Sequence, residues 1–207
     1  MITQYGYQIT AIGYHMNWPD AGDPYYNTSS NARRSFYNIN SIPAARLDGM
    51  NQSCSSWSGL IPGLLSSPAP ISIDLTNSSY DPGTHKVCLK AIVHCETSMG
   101  SGDFKIYFCL SQDDLWANSR HYNRVCRLIN AGGNGIVFTI SPGETKLVSC
   151  SLTLNASWVT DKMAASCWVQ NFSTKAVQNS IQMDFSDITI GVGVTPASLG
   201  NIKAAFH

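Results

Sequence analysis

The chain has 207 residues, a formal net charge of zero and only 13% charged residues, so solubility rests on Asn, Ser, Thr and Gln. That balance removes any global electrostatic case for binding nucleic acid or an anionic membrane. The length allows one or two domains.

Residues 7–15, YQITAIGYH, read as a buried strand. MNWPDAGDP follows as a loop broken by Pro19 and Pro24, with Asp23 placed to cap a helix that opens at Pro24. PYYNTSSNARRSFYN carries apolar residues at loosely helical spacing, and Arg33 and Arg34 near its C-terminal end suit the helix dipole. IPAARLDG reads as a strand ending in a turn, and MNQSCSSWSGLIPGLLSS as a helix interrupted by Pro62. This strand–helix–strand–helix order is α/β in character. SSPAP, residues 66–70, is the best boundary.

Beyond it the period becomes two. Val87, Leu89, Ala91, Val93 and Cys95 fall on one face of KVCLKAIVHC, and Phe104, Ile106, Phe108 and Leu110 on one face of DFKIYFCL. YNRVCRLI, GIVFTIS, KLVSCSLTL, AASCWVQNF and IQMDFSDITI continue the pattern, separated by turn residues. About eight short strands at regular spacing predict an antiparallel β-sandwich. The whole chain is therefore α+β and mainly β.

Seven cysteines stand at wide, irregular spacing with no Cys-x-x-C pair, which disfavours zinc. Disulfides and small buried hydrophobes both remain open. Cys88 and Cys109 fall on outward faces of strands expected to pair, and are the first choice for a cross-strand disulfide. Cys95 and Cys150 fall on inward faces, and Cys54 stands alone in the first part.

No nucleophile elbow, zinc-protease helix or phosphate loop is present, and the five histidines do not assemble a ligand pattern. NAGGNG, residues 130–135, reads as a hairpin loop. Arg120, Arg124 and Arg127 with His121 read as an edge strand protected by charge. No catalytic, cofactor or metal site is expected, and the chain is read as not an enzyme. Sequons begin at Asn27, Asn51, Asn77, Asn155 and Asn171 and permit glycan attachment. No apolar run reaches the roughly 18–20 residues of a membrane helix. MITQYGYQIT has neither the basic nor the apolar region of a signal peptide, so an exported protein would be a mature or truncated form.

Four segments in order carry a resemblance: AIGYHMNWPDAGDPYYN with ARRSFYNINSIPAARLDG, HYNRVCRLI, PGETKLVSCSLTLNASWV and AASCWVQNFSTKAVQNS. Together, over about residues 5–183, they resemble the outer-membrane-protein-28-related family of Bacteroidetes-type bacteria. The resemblance implies a thioredoxin-like domain over residues 1–67, lacking its first strand, Cys-x-x-C pair and first helix. An immunoglobulin-like β-sandwich would follow over 68–187. It makes Pro43, in NINSIPAARLDG, the candidate cis-proline. It also implies an extracellular or cell-surface protein.

Residues 188–207 form a tail, with Ile188, Ile190, Val192, Val194, Leu199 and Phe206 as its candidate assembly residues. ITIGVGV is apolar, β-branched and uncharged. It reads either as a last strand of the sandwich or as a strand donated to a neighbour. The leading expectation is a self-associating structural subunit of a surface filament or tube, with no cofactor. Two alternatives stand beside it. One is a fragment of a thiol–disulfide oxidoreductase whose reactive pair lies upstream. The other is a monomeric adhesion or carbohydrate-binding module using Trp116, Trp158 and Trp168.

Overall fold

In the computed structural model, residues 2–19 and 21–191 are described. Val192, Val194, Leu199 and Phe206 of the expected assembly segment lie outside them.

The protein is mixed α and β with strands in the majority. Strand β3 (Lys86–Cys95) pairs along one edge with β9 (Thr145–Thr153). Its other edge takes β1 (Ile71–Asp74) and β2 (Ser79–Asp81). A short β12 (Thr189–Ile190) adds parallel to β2, which makes this first sheet mixed. The second sheet is antiparallel. In it β4 (Phe104–Gln112) lies between β10 (Met163–Asn171) and the pair β7 (Val125–Ile129) and β8 (Ile136–Phe138). β11 (Val177–Asp184) flanks β10. A separate hairpin joins β5 (Leu115–Ala117) to β6 (Arg120–Tyr122).

The alternation read from the sequence sets the core. Val87, Leu89, Ala91, Val93 and Cys95 meet Phe104, Ile106, Phe108, Leu110, Ala165, Cys167 and Val169 in one cluster between the sheets. Apolar burial of this extent is the main stabilising term in such a domain. The two sheets differ on their other faces. β3 alternates between buried and mostly half-buried positions and β9 between half-buried and exposed ones, whereas every residue of β10 and nearly every residue of β4 is buried. The second sheet is covered on its outer face by the N-terminal residues.

That cover departs from the sequence expectation. Residues 2–66 contribute two isolated bridges and no strand to any sheet. The strand expected over 7–15 is replaced by a helical turn at Gly6–Gln8 and one parallel bridge, Gly13 to Val125. The strand expected over 42–49 reduces to a bridge between Leu47 and Met50. A thioredoxin-like sheet is therefore not formed by the described residues. The physical reason is that Ile12 and Tyr14 bury their side chains on the Tyr107–Trp168 face of the second sheet. An apolar run used as cover does not need strand neighbours for its burial.

Helix α1 is a single turn, Ile2–Tyr5, and α2 runs Thr28–Phe36. It opens one turn later than expected, because Asn27 is the cap: its Oδ1 accepts from the Ser30 amide at 2.8 Å. Asp23, the expected cap, is occupied by His15 and the Tyr25 amide. Helix α3 (Trp57–Ser66) contains Pro62, as expected.

Arg33 fixes the cover. It is fully buried, and its guanidinium lies over the rings of Tyr107 at 4.3 Å, Phe36 at 4.4 Å and Tyr37 at 4.9 Å. Its Nη2 donates to Gln170 Oε1 at 2.6 Å and to the Tyr37 hydroxyl at 3.0 Å. No carboxylate of the described residues pairs with it. Gly49 closes the cover at φ +80°, and a Cβ there would stand 1.8 Å from the Lys175 carbonyl oxygen, so only glycine fits.

Candidate functional site: an open strand edge

β9 reads TKLVSCSLT and pairs with β3 without a break, from Lys86 opposite Thr153 to His94 opposite Thr145. Two bonds at its ends show which residues face β3. Cys95 donates its N–H to Glu144 O at 3.0 Å, and Leu154 donates to His85 O at 2.9 Å. Backbone bonding alternates along an antiparallel pair. Lys146, Val148, Cys150 and Leu152 therefore bond to β3. Thr145, Leu147, Ser149, Ser151 and Thr153 turn their N–H and C=O groups the other way, and no strand among the described residues pairs with that side.

The edge lacks the usual protection. Inward charges, prolines, bulges and short length discourage pairing at strand edges. From Leu147 to Thr153 there is no charge, no proline and no register shift. Lys146 is held by Thr139 O and by Glu144 at the strand's start. Leu147 is 65% exposed, and with Ile92 it lies in a shallow depression lined by Asn77, Lys90 and Thr145. Such an edge can accept an extended peptide through main-chain bonds, with side-chain contacts setting the choice of partner.

The expected disulfide does not fit this architecture. Cys88 is on β3 in the first sheet and Cys109 on β4 in the second, both facing away from the shared core. They lie on opposite outer faces of the sandwich, and all seven thiols are free. Alternation placed Cys88, Cys95, Cys109 and Cys150 on their faces, but a face does not say which strands are neighbours. Burial pushes the Cys150 thiol up to about 12, with Cys88 nearby adding to the shift. The Cys167 thiol is raised by burial as well.

The Ile42–Pro43 peptide is cis, and both residues are exposed. Ile188 belongs to the core cluster, and Ile190, 68% exposed, pairs with Tyr80 of β2. Thr189 and Ile190 thus lie on the edge of the first sheet opposite β9. Of the tryptophans, Trp168 is buried and stacked on Tyr107, Trp158 lies under the Arg127 guanidinium, and Trp116 is 65% exposed on the β5–β6 hairpin. The basic cluster is dispersed: Arg124 is buried beside Asp113, and Arg127 stacks on Trp158. His15 binds Asp23 at 2.8 Å and His121 binds Asp114 at 2.9 Å, at separate places. Two sequons are occupied internally, since Asn27 donates to Cys126 O and Asn171 to Ser101 O. Asn51, Asn77 and Asn155 are exposed.

Sequence reasoning missed the edge and the buried Arg33. KLVSCSLTL, uncharged after Lys146, announced a strand but not an edge, because position in a sheet is a property of topology. Arg33 had the weaker signal of aromatic neighbours at Phe36 and Tyr37.

No protein-family profile and no curated protein matches the chain. Among solved structures it is similar to HBP35 of Porphyromonas gingivalis, with a TM-score of 0.64 at 10% identity, over 79% of this chain and 59% of that one. The chain therefore spans less than two thirds of that protein's length. Looser superpositions are found with a domain of the outer membrane lipoprotein Omp28 from Porphyromonas gingivalis (TM-score 0.41, 16% identity, 60% of this chain and 92% of that one). Another is with the ligand binding region of serine-glutamate repeat protein A of Enterococcus faecium (TM-score 0.33, 13% identity, 58% and 96%). The likeness to HBP35 is one of fold. Among the described residues, no helix is long and apolar enough to cross a membrane.

Proposed function

We propose that the chain is a non-catalytic, extracytoplasmic subunit that polymerises head to tail, the segment after Gly191 of one copy adding as a strand to the β9 edge of the next. The observation that carries this reading is the nine-residue β9 edge, unpaired among the described residues and uncharged from Leu147 to Thr153. Its complement is the segment after Gly191, which opens with Val192 and Val194 and follows β12 on the opposite edge of the same sheet. A donor on one edge and an acceptor on the other make a heterologous contact, which propagates into a filament unless the rotation closes. The extracytoplasmic placement rests on the charge-poor composition and on the sequence resemblance.

Ser149→Pro tests the reading. The Ser149 N–H points to the free edge, so proline there removes an edge donor without removing a bond to β3. Electron microscopy and light scattering of the full chain are expected to show concentration-dependent polymers. Both Ser149→Pro and a chain ending at Gly191 are expected to remain monomeric, with melting temperatures close to the parent's. Dispersed monomers of the full chain at every concentration tested would sink the idea.

A second reading, a glycan-binding module, draws on a groove of about 290 Å³ on the Ala117–Arg120 face of the β5–β6 hairpin, the face opposite Trp116. Trp18, Asp23, Asn118, Arg120 and Tyr122 line that groove, a mixture of rings and hydrogen-bonding groups suited to a sugar. On this reading a glycan array gives signals that Trp18→Ala, in the groove, removes; a blank array excludes it.

A further inference from the structure

Two thiols meet in the layer between the second sheet and its N-terminal cover. Ser111 of β4 lies opposite Cys126 of β7, beside a bulge, and Cys109 is two positions back on the same face of β4. The Cys109 and Cys126 sulfurs are 3.9 Å apart, and both residues are 0% exposed. Tyr107, Ile129 and Trp168 surround them, and Ile12 and Tyr14 of the cover close the site from above. The cover is bonded to the strand that carries one of them: Cys126 donates its N–H to Gly13 O at 2.8 Å, and its carbonyl accepts from Asn27 Nδ2 at 2.9 Å.

We propose that Cys109 and Cys126 form a disulfide during folding, by exchange with a low-molecular-weight disulfide, and that this bond staples β4 to β7 beneath the N-terminal cover. The thiolate of one cysteine attacks a sulfur of the external disulfide, forming a mixed disulfide and releasing one thiolate, which takes a proton. The second cysteine loses its proton and attacks the protein-side sulfur of the mixed disulfide, and a second small thiol leaves. Two protein thiols are oxidised and one external disulfide is reduced to two thiols, so atoms and electrons balance. Closing the bond needs the sulfurs to approach by roughly 2 Å, which side-chain rotation at the bulge can supply.

The geometry also dictates the order of events. The attacking species is the thiolate, and burial holds the Cys109 thiol well above its ordinary value. Ile12 and Tyr14 shut out the external disulfide once the cover is seated. Exchange therefore belongs to the stage before residues 12–27 settle on the sheet. The bond encloses a short segment, with the two cysteines 17 positions apart. It restrains the unfolded chain accordingly.

The test is a thiol map. The full chain is reduced, unfolded and refolded in a mixture of reduced and oxidised glutathione. Free thiols are then trapped with iodoacetamide in denaturant, so that buried thiols also react, and the digest is read by mass spectrometry. The expected result is a Cys109–Cys126 linked peptide in most molecules and a melting temperature raised by roughly 5–10 °C over the reduced chain. The rise disappears in Cys126→Ser and persists in Cys54→Ser. Folded, reduced chain given oxidised glutathione forms the bond at least about ten-fold more slowly than refolding chain. Recovery of both cysteines as alkylated thiols from folded chain, or linkage of either to Cys88 or Cys95, overturns the proposal. The peptide map decides this even if Cys126→Ser does not fold.

Discussion

Arg33 shows how a single side chain can hold a layer in place. A buried guanidinium without a carboxylate keeps its charge by stacking on aromatic faces and donating to neutral oxygens. Nearby phenols, Tyr14 foremost, hold its proton more tightly and outweigh the desolvation. Truncation leaves Gln170 Oε1 and the Tyr37 hydroxyl without this donor in a closed site. Arg33→Ala is therefore expected to cost about 3 kcal/mol in urea unfolding. Arg33→Lys is expected to recover little of it, since a compact ammonium cannot lie flat between rings. Recovery of parental stability by lysine would show that charge alone matters there. The sequence showed Arg33 only as a helix-end cation, because nothing in a one-dimensional pattern says that a helix lies across a sheet.

The buried thiols give the same scale a pH signature. In the reduced chain Cys150 titrates near 12 when folded, against an ordinary value near 9. The unfolded chain thus loses this proton first as pH rises, and folding stability falls. Whatever the protonated Cys150 contributes is intact below pH about 9 and lost by about 12. Equilibrium unfolding of reduced chain is expected to weaken across that window, and less so in Cys150→Ala. Equal slopes in the two would contradict the assignment.

At the level of elements, the core-facing alternation of the long strands was legible, although one of the two sheets is mixed rather than antiparallel, and the N-terminal part was not legible. Residues 87–95 and 104–110 announced their inward faces through strict alternation, and those faces are the core. What alternation could not convey is that Tyr107, Cys109 and Ser111, on the outward face of β4, are also buried. Their burial depends on a cover from far away in the chain. Residues 7–15 misled for the converse reason: a short apolar run has the same composition whether it pairs in a sheet or lies on one. The Cys88–Cys109 pairing failed similarly, since the two strands are joined in sequence but placed in different sheets. The helix at 57–66 was readable because its residues form a local unit.

At the scale of the whole molecule the asymmetry is the informative property. One sheet buries both faces of its central strands β4 and β10; the other has an accessible outer face, β12 on one edge and, on the other, β9, uncharged from Leu147 onward. Nothing in β9 itself announced an edge, because being last in a sheet is decided by where every other strand goes. The proposed function uses that arrangement directly, with a donor and an acceptor on opposite sides of one sheet.

Residue-resolved amide hydrogen exchange on β9 tests this most directly. In monomers at low concentration, Leu147, Ser149 and Ser151 are expected to exchange fast, and Val148, Cys150 and Leu152, bonded to β3, to exchange slowly. In the assembled full chain the three fast amides are expected to become protected, and in chain ending at Gly191 to stay fast. Fast exchange at Leu147, Ser149 and Ser151 within assembled material would contradict strand addition at this edge.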